Sequence, residues 1–122
     1  MAQNVKEVLA GLYEVEGFIA VAVGHAESGM AMGTLGGNDD IDPELAVAAN
    51  ADVIKAKLRA MRALKIDGRI EDILVTLDDQ YHLIRVLERN PNVFIYLILD
   101  RKRSNLAMAR FKLSQAEDQL VL

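Results

Sequence analysis

Three apolar runs in the C-terminal half of the sequence constrain the fold most. They cover residues 70–77, 80–88 and 92–100, and they read IEDILVTL, QYHLIRVLE and NVFIYLILD. The segments between them are only two and three residues long. Such lengths suit hairpins and are too short for a crossover helix between parallel strands. We therefore predict three consecutive antiparallel strands.

A further pair of strands is predicted nearer the N-terminus. Residues 18–23 read FIAVAV and are apolar at every position, which indicates a strand covered on both faces. Residues 30–36 can pair back on it through a turn at Glu27, Ser28 and Gly29, where glycine adopts a positive φ without strain. The two segments therefore predict a second hairpin.

Helical spacing of apolar residues marks the two ends of the chain. The first helix is predicted over residues 5–15, with Asn4 as its cap, and the last begins after Ser104 as its cap. With the middle helix described next, the order is α-β-β-α-β-β-β-α. Five antiparallel strands that are apolar on both faces need helices on both faces. We therefore predict an α/β (α+β) three-layer sandwich with a five-stranded antiparallel sheet, formed by residues 1–122 as a single domain.

The longest helix is predicted over residues 42–64. Asp42 can cap it, Pro43 suits its first turn, and Glu44 lies near the positive end of its dipole. Its apolar residues form one stripe and an adjacent second stripe, together wider than one core-facing surface. The first stripe consists of Val47, Ala51, Ile54, Leu58 and Met61, and the second of Leu45, Ala49, Val53, Ala56, Ala60 and Leu64. The small alanines of the second stripe would let a partner helix approach closely.

The glycines and acids of residues 27–44 invite a phosphate-binding or metal-binding interpretation. The glycines lack the Lys and Ser or Thr of a P-loop, and they lack the spacing of a dinucleotide fingerprint. Asp39, Asp40, Asp42 and Glu44 lack the alternating donors of a calcium loop. We interpret the segment as a corner between strand and helix with Asp42 as the helix cap. No cofactor and no metal ion is predicted.

The sequence does not indicate an enzyme. Cysteine is absent, which excludes thiol nucleophiles and thiolate metal sites. His25 and His82 are the only histidines, and neither has a recognisable orienting partner. The serines lie in no nucleophile motif. No catalytic residue is therefore predicted.

Charge and hydrophobicity limit the partners. A formal charge of −4 disfavours a nucleic-acid-binding role. Lys6 and Glu7 interrupt the start of the chain where a signal peptide would be apolar, and no stretch is long enough to span a membrane. We predict a cytoplasmic protein without membrane insertion. One basic cluster is either a solvated connection or a docking patch for an acidic protein surface: Arg101, Lys102, Arg103, Arg110 and Lys112.

Two stretches resemble the Roadblock/dynein light-chain family. They are GFIAVAVGHAESGMAM at residues 17–32 and DRKRSNLAMARFKLSQAEDQL at residues 100–120. The order of elements is similar as well, and so is a final helix with Asn105, Leu106 and Arg110. The sequence departs from the family pattern at the ESG turn and in the acidic loop at residues 37–42.

The resemblance implies a homodimer that regulates or scaffolds a Ras-like small GTPase, and some members of the family activate GTP hydrolysis. In such a dimer the middle helix packs on its copy, and the strand at residues 73–77 pairs with its copy. The expected dimer interface contains Ala49, Val53, Ala56, Ala60, Ile73 and Val75. The expected partner contacts are Arg59, Arg62 and Lys65, with Glu44 and Lys55 nearby. No catalytic side chain is required.

An alternative is a sensory module that binds a small ligand, because mixed sandwiches can hold a pocket between sheet and helix. Such a site needs a cavity with a few convergent polar groups. Tyr81, His82 and Tyr96 are the candidates in this sequence.

Overall fold

A computed structural model describes residues 4–121, and its elements follow the predicted order. The helices are α1 (Val5–Leu12), α2 (Pro43–Ala63) and α3 (Leu106–Gln119). The strands are β1 (Phe18–His25), β2 (Ala31–Gly36), β3 (Asp72–Thr76), β4 (Gln80–Val86) and β5 (Val93–Asp100).

The strands form one antiparallel sheet in the order β2-β1-β5-β4-β3. The turn before β2 uses Gly29 at φ +73°, as predicted. Strand β5 lies at the centre, and its residues 93–99 are all buried. The predicted fold class is therefore confirmed.

The helices cover the sheet on both faces. Helices α1 and α3 pack on one face around Leu83, Leu97 and Leu113. Helix α2 packs on the other face, where Val47 and Ile54 meet Phe94. It lies close to β1 and β2. The result is the predicted three-layer sandwich.

The ends of two helices differ from the prediction. Helix α1 ends at Leu12 and does not continue to Val15. The turn that follows the helix buries Val15 instead. The Asn4 side chain does not cap α1; it donates to the carbonyl of Gln119 at 2.7 Å and accepts from the amide of Val121 at 2.8 Å. Asn4 therefore joins the first helix to the last.

The cap of α3 is Asn105 and not Ser104. The Asn105 side chain accepts from the amide of Met108 at 3.0 Å. Both residue types suit a cap, and the sequence alone placed the helix start one residue early.

Candidate functional site

Helix α2 begins where Asp42 and Pro43 predict. The Asp42 carboxylate accepts from the amide of Glu44 at 3.0 Å and so satisfies one of the free donors of the first turn. Further along, the Lys55 ammonium donates to the carbonyl of Glu27 at 2.8 Å. This contact fixes one flank of α2 against the β1–β2 turn.

The two apolar stripes of α2 have different environments. In the first stripe Val47, Ala51 and Ile54 are buried, while Leu58 is 37% exposed. Every residue of the second stripe is exposed: Leu45, Ala49, Val53, Ala56, Ala60 and Leu64.

The prediction that the second stripe lies beside the first one is wrong. The second stripe lies on the far side of α2. Val47 and Ala56 are nine residues apart, and a helix turns by about 100° per residue. They therefore point in opposite directions, one to the sheet and one to solvent. The excess apolar surface of α2 faces away from its own core.

Strand β3 ends the sheet and pairs only with β4. Ile73 packs against the core beneath α2, and Val75 follows on the same face with 39% of its surface exposed. Leu77 continues the alternation and is 43% exposed. The expected interface residues of β3 therefore lie on the α2 side of the sheet, beside an open strand edge.

Leu77 lies within the strand that was expected to pair with its copy, residues 73–77, and it continues the alternation of Ile73 and Val75. Ile66 lies outside every segment of the expected interface. It follows α2 directly and is 51% exposed. The sequence gives no comparable signal for Ile66, because it lies outside the helical register.

The expected partner contacts are all exposed near the end of α2. Arg59 and Arg62 are one turn apart, and Lys65 follows the helix cap Leu64. Lys65 has φ 56°, and its amide donates to the carbonyl of Arg62 at 3.1 Å. The amide of Ile66 donates to the carbonyl of Met61 at 2.9 Å. These two bonds form a Schellman turn with lysine at the position that glycine prefers.

Only two of the three polar residues of the alternative hypothesis, His82 and Tyr96, lie together. The Tyr96 hydroxyl bonds His82 Nδ1 at 2.6 Å, and His82 Nε2 bonds Gln80 Oε1 at 2.8 Å. Burial lowers the pKa of His82. Burial raises the pKa of Tyr96, although a hydrogen bond with Asn50 of α2 acts in the opposite direction. These side chains form a cross-layer contact between sheet and helix.

Tyr81 lies on the other face of the sheet. It packs against the core beneath α1 and α3, and the Arg101 guanidinium lies 5.7 Å from the centre of its ring. It therefore cannot share a pocket with His82 and Tyr96.

A cavity of about 220 Å³ lies near the C-terminal half of α2. Arg69 is the only charged residue in its wall. Its lining residues are Ile54, Leu58, Gly68, Arg69, Ile70, Val86, Leu87 and Pro91. The cavity is apolar and contains none of the three polar candidates.

Residues 4–121 contain no group of three or more His, Asp or Glu side chains arranged to hold a metal ion. No helix in this part of the chain combines the length and apolar character needed to cross a bilayer.

The sequence matches no protein-family model and no curated protein. Solved structures do match. MglB of Myxococcus xanthus is 13% identical with a TM-score of 0.79, over 95% of this chain and 86% of that one. A Roadblock/LC7 domain from Streptomyces avermitilis is 11% identical with a TM-score of 0.76, over 90% and 88%. An MglB with a tetrameric arrangement is 13% identical with a TM-score of 0.76, over 93% and 82%.

The architecture shared with these proteins extends over most of both chains, whereas the shared sequence is slight. The chain therefore has the Roadblock-type fold, which was expected from residues 17–32 and 100–120.

Proposed function

We propose that the chain acts as a single Roadblock-like domain, residues 1–122, and forms a homodimer that regulates or scaffolds a Ras-like small GTPase without catalysing a reaction itself. One observation carries the proposal: the alanine-lined second stripe of α2 is exposed, and the open edge strand β3 directs Ile73 and Val75 to the same side of the sheet as α2.

The exposed apolar surface supports association. Leu45 is 68% exposed, Leu64 66% and Val53 40%, and all three belong to the second stripe. Contiguous apolar surface of this kind marks interfaces on folded proteins. Covering it releases about 25 cal/mol for each Å² of apolar surface removed from water. Alanines between these larger residues allow a second helix to pack closely.

The edge of β3 supports a two-fold arrangement. An unpaired edge strand has free backbone donors and acceptors, and pairing with the same strand of a second copy satisfies them. Antiparallel pairing of identical strands is compatible with a two-fold axis, the symmetry of most protein dimers. The proposed interface therefore contains Ala49, Val53, Ala56, Ala60, Ile73 and Val75.

The Roadblock-type fold supports the assignment of a GTPase as partner, since the family resemblance implies such partners. Arg59, Arg62 and Lys65 supply an exposed positive surface near the end of α2. These residues are proposed to contact the GTPase, where they position it or stabilise its active conformation. Arginine supplied in trans is one known route to faster GTP hydrolysis, and repositioning of the GTPase's own groups is another. The proposed location is the cytoplasm.

The dimer is tested by light scattering coupled to size-exclusion chromatography. Wild type is expected to elute with the mass of two chains. Ala56→Arg combined with Val75→Arg places charges in the interface and is expected to give a single-chain mass. Ala10→Arg is the matched control, because Ala10 is an exposed alanine of α1. A folded wild type that stays monomeric at high concentration would contradict the proposal.

The GTPase interaction is tested with Ras-like GTPases loaded with GDP or a GTP analogue. Binding is expected to depend on the nucleotide. The double variant Arg59→Glu and Arg62→Glu is expected to bind at least tenfold more weakly, because charge reversal at a contact costs more than about 1.4 kcal/mol. The control of equal charge change is Lys6→Glu with Arg103→Glu.

Two results would count against this part of the proposal. Absence of binding in both nucleotide states would remove the GTPase as a partner. Unchanged affinity of the double variant would remove Arg59 and Arg62 from the contact surface and leave the dimer intact.

A further inference from the structure

The outer side of α3 exposes two large apolar side chains. Met108 is 52% exposed and Phe111 is 56% exposed. They are three residues apart and therefore neighbours on the helix surface. The opposite side of α3 already supplies the core through Ala109, Leu113 and Ala116. Met108 and Phe111 are therefore not needed for the core. They lie on the solvent side of α3, where polar residues are usual.

Basic residues flank this apolar pair along the chain. Residues 101–112 contain five basic residues and no Asp or Glu, in a chain with a formal charge of −4. The cluster is therefore local and does not reflect the overall composition. Its members are Arg101, Lys102, Arg103, Arg110 and Lys112.

Two of these cations have partners within the chain. Arg101 donates to the carbonyl of Leu77 at 3.2 Å, and Arg110 Nε donates to Asp72 Oδ2 at 3.2 Å. The remaining three are exposed, and no salt bridge to them is found within residues 4–121: Lys102, Arg103 and Lys112. These three can attract an external acidic group.

We propose that Lys102, Arg103, Met108, Phe111 and Lys112 form a docking surface, the α3 patch, for an acidic protein segment with an apolar anchor residue. Phe111 and Met108 contact the anchor, and the three cations attract the carboxylates around it. Aromatic residues, Met and Arg are enriched in protein interfaces. Complementary charge adds orientation and a faster encounter.

Acidic residues nearby favour a protein segment over an anionic membrane. Asp118 is exposed and lies two helical turns after Phe111 on the same side of α3. Asp78 and Asp79 form the exposed β3–β4 turn, and the Arg101 amide donates to the carbonyl of Asp79 at 2.9 Å. A flat anionic bilayer would meet these carboxylates together with the cations. A narrow peptide can avoid them.

The α3 patch is independent of the proposed dimer and GTPase contacts. Helix α3 packs on the face of the sheet opposite to α2. Both surfaces can therefore be occupied at the same time. A variant that disables one leaves the other unchanged.

The test uses short fluorescent synthetic peptides with the full chain. One peptide is acidic with leucines at helical spacing, a second is acidic with leucines at alternating positions, and each has a scrambled version of equal composition. Fluorescence anisotropy is expected to show that at least one patterned peptide binds more tightly than its scramble. Affinity is expected to fall with added salt, because exposed charges are screened.

Variants then locate the contact. Phe111→Gln is expected to weaken peptide binding about tenfold, as is the pair Lys102→Glu with Lys112→Glu. Met30→Gln and Lys6→Glu are matched controls that are expected to bind as wild type, since Met30 is 67% exposed and lies in the β1–β2 turn. Light scattering checks that each variant retains the oligomeric state of wild type.

Three outcomes would overturn the assignment. The first is that neither patterned peptide binds more tightly than its scrambled version, whether all peptides bind or none does. The second is that the patch variants bind the peptide with the affinity of wild type. The third is that wild type binds vesicles of phosphatidylcholine and phosphatidylserine and that Phe111→Gln does not. That result would make the patch a membrane contact.

Discussion

Gly24 sets the distance between α2 and the sheet. A Cβ at this position would overlap Cγ1 of Val47 and lie 3.3 Å from Cζ of Phe94. Val47 is buried and β-branched, so it has little freedom to move. Glycine in β1 thus allows the backbone of α2 to lie close to the strand.

Gly24→Ala is therefore expected to lower the free energy of unfolding by about 1–3 kcal/mol. Combining it with Val47→Ala removes the overlapping methyl groups, so the double variant should be more stable than the sum of the single effects implies. Chemical denaturation measures all three. Gly11→Ala is the control, because a Cβ at that exposed helical position meets nothing within 4 Å. Strict additivity of Gly24→Ala and Val47→Ala would contradict this account.

Lys65 is a strained residue within the expected partner contact. Its φ of 56° is unfavourable for a residue with a Cβ. Lys65→Gly is expected to raise the free energy of unfolding by about 1 kcal/mol, since the Schellman turn then needs no strained side-chain-bearing residue. Lys57→Gly, in the interior of α2, is expected to have the opposite effect of about 1 kcal/mol. Thermal and urea unfolding would show both, and a destabilised Lys65→Gly would contradict the first.

At the scale of elements, the first turn of α2 depends on Asp42. Its carboxylate bonds the Glu44 amide at 3.0 Å. Asp42→Ala is expected to lower the free energy of unfolding by about 1 kcal/mol, with a range of 0.5–2 kcal/mol. Asp40→Ala removes a neighbouring exposed carboxylate and is expected to have a smaller effect. Equal effects of the two substitutions would show that charge, and not capping, matters here.

Glu117 links α3 to the sheet. It is 7% exposed, accepts from Arg85 Nε at 2.6 Å and accepts from the amide of Glu88 at 2.8 Å. Burial by itself raises the pKa of Glu117, but the bonds from Glu88 and Arg85 outweigh it and hold the pKa below its ordinary value of 4.5. Arg89 adds bonds at 2.8 Å to the carbonyls of Glu117 and Leu120.

This link predicts a pH dependence of stability. The folded-state pKa of Glu117 lies below that of the unfolded chain, so its stabilisation is complete above the unfolded value near 4.5. It is lost as pH falls through the folded value. Glu117→Gln is expected to cost about 1–3 kcal/mol at neutral pH and less in acid. Urea unfolding across the pH range measures the difference, and a constant difference would contradict the ion-pair account.

At the scale of the whole molecule, association should couple to stability. A dimer that dissociates on unfolding becomes more stable as its concentration rises. The Tm of wild type is therefore expected to increase with protein concentration. The Tm of Ala56→Arg combined with Val75→Arg should not change with concentration. Calorimetry over a wide concentration range checks both, and a wild-type Tm independent of concentration would indicate a monomer.

Local patterns in the sequence determined the order of elements, the antiparallel pairing and the Asp42 cap, because period, turn length and capping depend on neighbouring residues. The apolar surplus of α2 was visible in the same way. The tertiary structure decided which stripe of α2 faces the sheet, and it brought Tyr96 to His82. It also placed the Asn4 side chain against the end of α3, where it bonds the backbone of Gln119 and Val121. These outcomes depend on which distant segments pack together, and no short stretch of sequence contains that information.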